Sequence, residues 1–304
     1  MKNMASIDIG SNSTLLLIAE KSQNSLRELY QESNVTSLGR DLDLNLAFRE
    51  DTMNDTFDVL KKYALKAKQF FIKPNEIIAT ATEASRVAKN SQAFYAQVKN
   101  ETGIEVKIIT SEAEAYFSAR GLLFDNYPEE EIIIMDIGGA STELIKVQAH
   151  PFKIIESISL PFGAVRMSQW IEKGEEQKQI ESIFKKFNVN PYKTKKLFCV
   201  AGTMTSIANM HLNHKEFVES QVHNHAMSLV EFSKLYQEKK DKTENDYLKI
   251  YPFLGKRART INGGMSVANC IFEKCEVESI LISTYGLRYG TLLEGEIKDG
   301  FIAR

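Results

Sequence analysis

Residues 4–20, MASIDIGSNSTLLLIAE, and residues 135–147, MDIGGASTELIKV, carry one pattern twice. Asp8-Ile9-Gly10 returns as Asp136-Ile137-Gly138, Ser13-Thr14 as Ser141-Thr142 and Leu16 as Leu144, all at one constant offset along the chain. In both copies an apolar run ends in an aspartate, a glycine permits a tight turn, and a second apolar run returns, which predicts a strand–turn–strand hairpin. A phrase repeated so far apart calls for two related lobes. The length of 304 residues suits two domains, and a composition 43% hydrophobic and 26% charged is that of a globular chain.

Strands alternate with helices around each copy, which predicts an α/β class. After the first hairpin come a third strand (26–38), an amphipathic helix near 51–72 with Phe57, Leu60, Ala64, Ala67 and Phe71 at three- and four-residue steps, and a short strand, EIIATAT. A helix over 85–103 ending at Gly103, a strand (104–110) and a helix from Ser111 follow. The pattern breaks at Asp125–Glu130, so the lobes are expected to be 1–125 and 126–285. The second lobe reads as a β-meander, a charged helix over 174–189, a strand–glycine turn–helix (196–210) and a last strand–glycine turn–helix from 276.

A formal net charge of −2 gives no global pull toward nucleic acid or membrane. No apolar run approaches the roughly 20 residues that a membrane helix needs, and LLLIA is too short for a signal peptide. Three cysteines without metal or disulfide spacing fit free thiols, and the expected location is the cytoplasm. His211, His214, His223 and His225 lack the intervening carboxylate of a zinc motif and read as turn and polar-face residues. The charge run 238–246 reads as an exposed helix end.

The hairpins carry the chemistry. Gly10 with Ser11, Asn12 and Ser13, and Gly138 with Gly139, Ala140, Ser141 and Thr142, form turns whose amides and short side chains suit phosphate oxygens. Asp8 and Asp136 end the preceding strands and supply the negative charge Mg²⁺ needs. Two such turns, one from each lobe, are expected to clamp a phosphoryl chain across an interdomain cleft.

The double hairpin resembles the acetokinase, sugar kinase, heat-shock ATPase and actin superfamily, with its two ribonuclease-H-like lobes. Within it the wording resembles the exopolyphosphatase/guanosine pentaphosphatase (Ppx/GppA) family along nearly the whole chain, as a short two-domain form. The matching motifs are DIGSNS (8–13), ATEASRVAKN (81–90) with Arg86, TSEAEA (110–115), DIGGAST (136–142) followed by Glu143, VAGT (200–203) and STYGLRYGTLLE (283–294). Two departures stand out: Ala140 replaces a third glycine of the second loop, and Ala113 the first of two adjacent glutamates.

The resemblance implies Mg²⁺-dependent hydrolysis of terminal phosphoanhydrides in inorganic polyphosphate, guanosine pentaphosphate or both, with guanosine tetraphosphate as a further ligand. Glu114, which keeps the family's spacing to Asp136, would be the base that deprotonates water. Glu112 is the rival, and two positions apart on a helix only one can face the site. Arg86 would meet phosphate oxygens, Asp8, Asp136 and Glu143 would hold Mg²⁺ or the water, and Gly202-Thr203 would cradle another phosphate at a helix start. INGGMSVA (261–268), with Arg257 and Arg259 ahead of it, reads equally as an adenosine-side glycine pair or as a packed helix. The last helix, about 286–304, is expected to pack back on the first lobe, and a homodimer stays open. Two other readings stand beside hydrolysis: a superfamily ATPase or small-molecule kinase, which needs an adenine pocket near Gly263-Gly264, and a non-catalytic guanosine tetra- or pentaphosphate sensor.

Overall fold

The structure, a computed structural model, describes residues 1–23 and 25–303; Arg304, the last residue of the expected C-terminal helix, lies outside them. The chain divides into one unit of Met1–Phe124 with Gly286–Arg304 and another of Asp125–Tyr285.

In the first unit β1 (Lys2–Ile9), β2 (Ser13–Lys21) and β3 (Leu26–Val35) make an antiparallel meander, followed by α1 (Leu42–Asn45) and α2 (Glu50–Gln69). Then come β4 (Ile78–Ala81), α3 (Glu83–Val87), α4 (Ser91–Thr102), β5 (Val106–Ile108) and α5 (Ser111–Leu122). The sheet order is β3-β2-β1-β4-β5, with β4 and β5 running parallel to β1. On α2 the buried residues Phe57, Leu60, Tyr63, Ala64 and Ala67 form one stripe facing the core. The expected single helix over 85–103 is two. Ala88 leaves the helical region (φ −72°, ψ 119°), and the Asn90 side chain bonds both backbone groups of Phe48 before α4 begins. Gly103, at φ 79°, takes the left-handed conformation that closes α4.

The second unit repeats the plan. β6 (Glu131–Ile137), β7 (Thr142–Gln148) and β8 (Lys153–Leu160) form its meander, followed by α6 (Ala164–Lys173) and α7 (Glu176–Lys186). β9 (Lys196–Val200), α8 (Ala201–His211), α9 (Glu219–Val222), β10 (His225–Ser228), α10 (Leu229–Lys239), α11 (Glu244–Ile250), α12 (Ile261–Lys274) and β11 (Ser279–Ile282) complete it. Its sheet, β10-β11-β9-β6-β7-β8, contains the first sheet's order with antiparallel β10 added at one edge. Both are ribonuclease-H-like sheets. Even the register shift recurs at the same place in the repeat: it falls between Ile18 and Ala19 in the first meander and between Lys146 and Val147 in the second. The sequence reading placed no element at α6, between the meander and the charged helix.

The chain then returns to the first unit as α13 (Leu287–Glu294). It crosses α5 at very short range: a Cβ on Gly121 would lie 1.9 Å from the Gly286 carbonyl oxygen, and one on Gly290 1.9 Å from that of Phe117. The buried Ser6 hydroxyl in β1 pairs with Thr291 at 2.7 Å, which satisfies a polar group in the middle of the sheet. The helix is shorter than expected. Gly295 caps it, and the tail runs beside β5, with Ala303 donating its amide to Ile108.

The histidines have local partners. His211 and His225 share a bond of 2.9 Å, and His214 pairs with Gln221 at 2.8 Å. His223 pairs with Asp125 at 3.0 Å and lies 4.1 Å from the Tyr285 ring, while its Nδ1 accepts the Thr284 amide. Among the described residues no helix is long and apolar enough to cross a membrane.

Candidate active site

Every residue singled out from the sequence for the phosphate and metal chemistry lies at or just beyond the carboxyl end of β1, β4 or β5 in the first unit, or of β6 or β9 in the second, or on the hairpin strand that follows. That end of a parallel array is where the chain turns into loops and helix starts, and it is the usual ligand-binding edge of an α/β sheet.

The two turns are built alike. Gly10 donates its amide to the Ser13 carbonyl at 2.9 Å, and Gly138 to that of Ser141 at 3.0 Å. The chain after the third strand then holds each turn from one side. In the first unit Ser11 O accepts from the Gly39 amide, and Asn12 O from those of Thr36 and Ser37. In the second, Gly138 O accepts from Ala164, and Gly139 O from Val165 and Arg166, so the first amides of α6 are engaged with the turn. A trans peptide points its N–H away from its C=O. With these carbonyls drawn into the unit, the amides of Asn12, Ser13, Gly139 and Ala140 face the opposite way. Successive amides turned to one side make a nest for an anion.

Close approach makes this possible. A Cβ on Gly163 would stand 2.6 Å from Gly138 O and 2.7 Å from the Gly139 backbone, and one on Gly39 would stand 2.9 Å from the Ser11 side chain.

The side chains of the two turns differ. Thr142, expected to touch phosphate, is fully buried with its hydroxyl donated to the Phe162 carbonyl at 2.7 Å, so only its backbone can serve the turn. Ser141 donates its hydroxyl to Glu143 Oε1 at 2.8 Å, and Ser159 of β8, not identified from the sequence, donates to the same oxygen at 2.7 Å. Glu143 stands directly opposite Asp136 across the β6–β7 pair. Opposed carboxylates repel and favour a cation. Two carboxylates completed by substrate phosphates are an ordinary Mg²⁺ arrangement, so the donor chemistry fits this ion. Among the described residues no group of three His, Cys, Asp or Glu is arranged to hold a metal alone.

In the first unit Glu114 sits in the first turns of α5, whose cap is Thr110 accepting from the Ala113 amide at 3.1 Å. Glu114 is 8% exposed, whereas Glu112 faces solvent. Arg86 of α3 donates from Nη1 to Glu114 Oε2 at 3.0 Å and to the Ile109 carbonyl at 2.8 Å, and from Nη2 to Glu83 at 3.0 Å. Arg86 and Glu114, far apart in sequence, are thus one bonded pair, fixed by Glu83, which sequence reasoning passed over. Half-buried Asp8 lies close enough to Tyr95 to add to the burial that raises its phenol pKa.

Past β9 no separate glycine turn intervenes before α8. Ala201 itself adopts φ 67°, a left-handed conformation unusual for a residue with a side chain. Gly202 lies against Arg257, where a Cβ would meet Nη2 at 2.6 Å, and Arg257 Nη1 reaches Ser206 at 3.1 Å. Burial pushes this guanidinium down to about 10, which leaves it charged at neutral pH. Thr203 packs its methyl group where a Cβ on Gly264 would stand, 2.4 Å away, and Gly263 is pressed on Ala164 and Ser168 of α6. Gly263 and Gly264 thus lie at close helix contacts, against α6 and against Thr203 of α8.

The Ppx/GppA phosphatase family pattern matches residues 17–298. A bifunctional 3-dehydroquinate synthase/phosphatase of Fusobacterium nucleatum is 29% identical, covering 96% of this chain and 46% of that protein. A guanosine-5'-triphosphate,3'-diphosphate pyrophosphatase of Vibrio cholerae is 25% identical, covering 95% of this chain and 58% of its own length. The chain thus spans about half the length of the curated relatives it matches. Among solved structures, the Aquifex aeolicus member of the Ppx/GppA family superposes with a TM-score of 0.77 at 28% identity, covering 96% of both chains. An exopolyphosphatase from Cytophaga hutchinsonii shares the fold, with a TM-score of 0.85 at 23% identity over 97% of this chain and 99% of its own. By family pattern, fold and the order of its motifs, the chain belongs to the Ppx/GppA phosphatase family.

Proposed function

We propose that this chain hydrolyses the terminal phosphoanhydride bond of inorganic polyphosphate, guanosine pentaphosphate or both, with Mg²⁺ as cofactor and Glu114 as the general base. The observation that carries this reading is the bond between buried Glu114 and half-buried Arg86, positioned after β5 and β4 in the same unit as the Asp8 turn. The names of the Fusobacterium and Vibrio relatives support the reaction class.

In this reading the turn amides bind non-bridging phosphate oxygens, with Ser11 and Asn12 adding side-chain donors. Arg86 fixes the orientation of the Glu114 carboxylate and brings positive charge to the place where phosphoryl charge develops. Glu114 takes a proton from water as the water oxygen bonds to the terminal phosphorus. The bond to the bridging oxygen breaks, and its electron pair leaves with the shortened chain or with guanosine tetraphosphate. Asp136 and Glu143 would hold Mg²⁺, and Asp8 is the corresponding carboxylate of the first hairpin. When bound, Mg²⁺ supplies charge neutralisation for the phosphates.

The test offers purified protein with Mg²⁺ polyphosphate, guanosine pentaphosphate and ATP in parallel, beside Glu114→Ala and Glu112→Ala. Phosphate release from one or both of the first two is expected, with Glu114→Ala slower by about 10²- to 10⁴-fold and Glu112→Ala near wild type. Binding of guanosine tetraphosphate without any release would point to a sensor. Release from ATP alone, raised by an acceptor, would point to a kinase.

A further inference from the structure

We propose that Arg166 is a positioning residue of the second phosphate-binding turn, aiming the Ser141 amide at the substrate; this rests on the proposed phosphoanhydride reading. The two turns supply the argument. In the repeat, Ala140 of the second turn takes the place of Asn12 in the first. In the first turn the carbonyl at this place, Asn12 O, is held by two backbone amides, Thr36 N at 3.1 Å and Ser37 N at 2.9 Å. In the second, Ala140 O is held by a side chain: Arg166 Nη1 donates to it at 2.7 Å and to Pro161 O at 2.8 Å. One guanidinium nitrogen thus joins the turn to the end of β8.

The direction of Ala140 C=O sets the direction of the Ser141 N–H across the same planar peptide. Ser11 and Asn12 give the first turn polar side chains, but Gly139 and Ala140 give the second none, and the Ser141 hydroxyl is donated to Glu143. The second turn therefore depends on backbone amide direction more than the first does. The last amide of the set is held by a replaceable side chain. Arginine suits the task because its charged, planar donor group keeps a fixed geometry to two acceptors.

Arg166→Ala and Arg166→Lys are compared with wild type by thermal unfolding, by phosphate-release kinetics and by amide NMR during titration with inorganic tripolyphosphate. The expected result is a folded Arg166→Ala protein with kcat/KM about 10- to 100-fold lower, the scale of a displaced binding group. Its Ser141 amide should lose its response to tripolyphosphate while the Asn12 and Ser13 amides keep theirs. Added guanidinium ion should restore part of the rate, and Arg166→Lys should fall between the two. Unchanged kinetics together with an unchanged Ser141 response would overturn the proposal. So would unfolding of both variants, which would make Arg166 structural. A wild type that releases no phosphate, yet whose Ser141 response depends on Arg166, would remove the hydrolase reading and leave the positioning role standing.

Discussion

The first and second hairpins share a backbone down to the position of a register shift, yet they oppose different residues to the same aspartate. Asp8 faces Leu15 across its pair, whereas Asp136 faces Glu143. The first turn carries Ser11 and Asn12, the second Gly139 and Ala140. Under the proposed function one hairpin grips phosphate with side chains as well as amides, while the other pairs bare amides with a doubled carboxylate suited to a cation. The two hairpins share a backbone plan, and the residues at their turns and opposite the aspartates differ.

Between the two hairpins, the largest difference is expected at Glu143. Glu143→Gln should slow phosphate release by about 10²-fold, the scale of losing one electrostatic contributor to a transition state, and should raise the Mg²⁺ concentration needed for half-maximal rate. Leu15→Gln at the equivalent place should change the rate by less than about threefold, since a partly exposed substitution of this kind moves stability by only about 0.5 kcal/mol. Equal losses at the two positions would break the comparison.

A smaller effect separates the glycines behind the turns. Gly163→Ala drives a methyl group onto two peptide groups of the turn and should cost about 3 kcal/mol in urea unfolding, the upper end of overpacking. Gly39→Ala meets Ser11 and should cost about 1–2 kcal/mol by the same measurement. The reverse order would mean the first turn is the more tightly held. The smallest difference is at the buried threonines. Thr142→Val removes a 2.7 Å bond to Phe162 O and should cost about 1–2 kcal/mol; Thr14→Val removes a 3.2 Å bond to Thr36 and should cost about 0.5–1 kcal/mol.

Much of this was legible in the sequence because repetition and short-range pattern carry it. Asp–Ile–Gly at the end of an apolar run favours a hairpin in both places, so both turns and the α/β class could be read directly. What stayed hidden depends on three-dimensional partners. The family spacing favoured Glu114 over Glu112, but the bond that joins Glu114 to Arg86 could not be read from the chain. Ser159 and Glu83 are ordinary polar residues until β8 and α3 bring them to Glu143 and Arg86. Gly263-Gly264 and Gly202 signal a close approach, but the sequence does not say whether ligand, helix or guanidinium does the approaching. Arg166 is an ordinary helix arginine until the fold brings it to the Ala140 carbonyl.

The contacts of His223 bear on how such a chain is made. The first unit is discontinuous, with the whole of Asp125–Tyr285 inserted before its last helix. A ribosome delivers α13 only after the insert has emerged, so the first sheet must wait for the helix that pairs with Ser6. Left as coil, a loop of that size would carry a closure cost that grows with its length. Once folded, the insert presents Asp125 and Tyr285 to the same imidazole, one by a 3.0 Å polar contact and the other by ring contact. The first and last residues of the insert are thereby held at one point of its own fold.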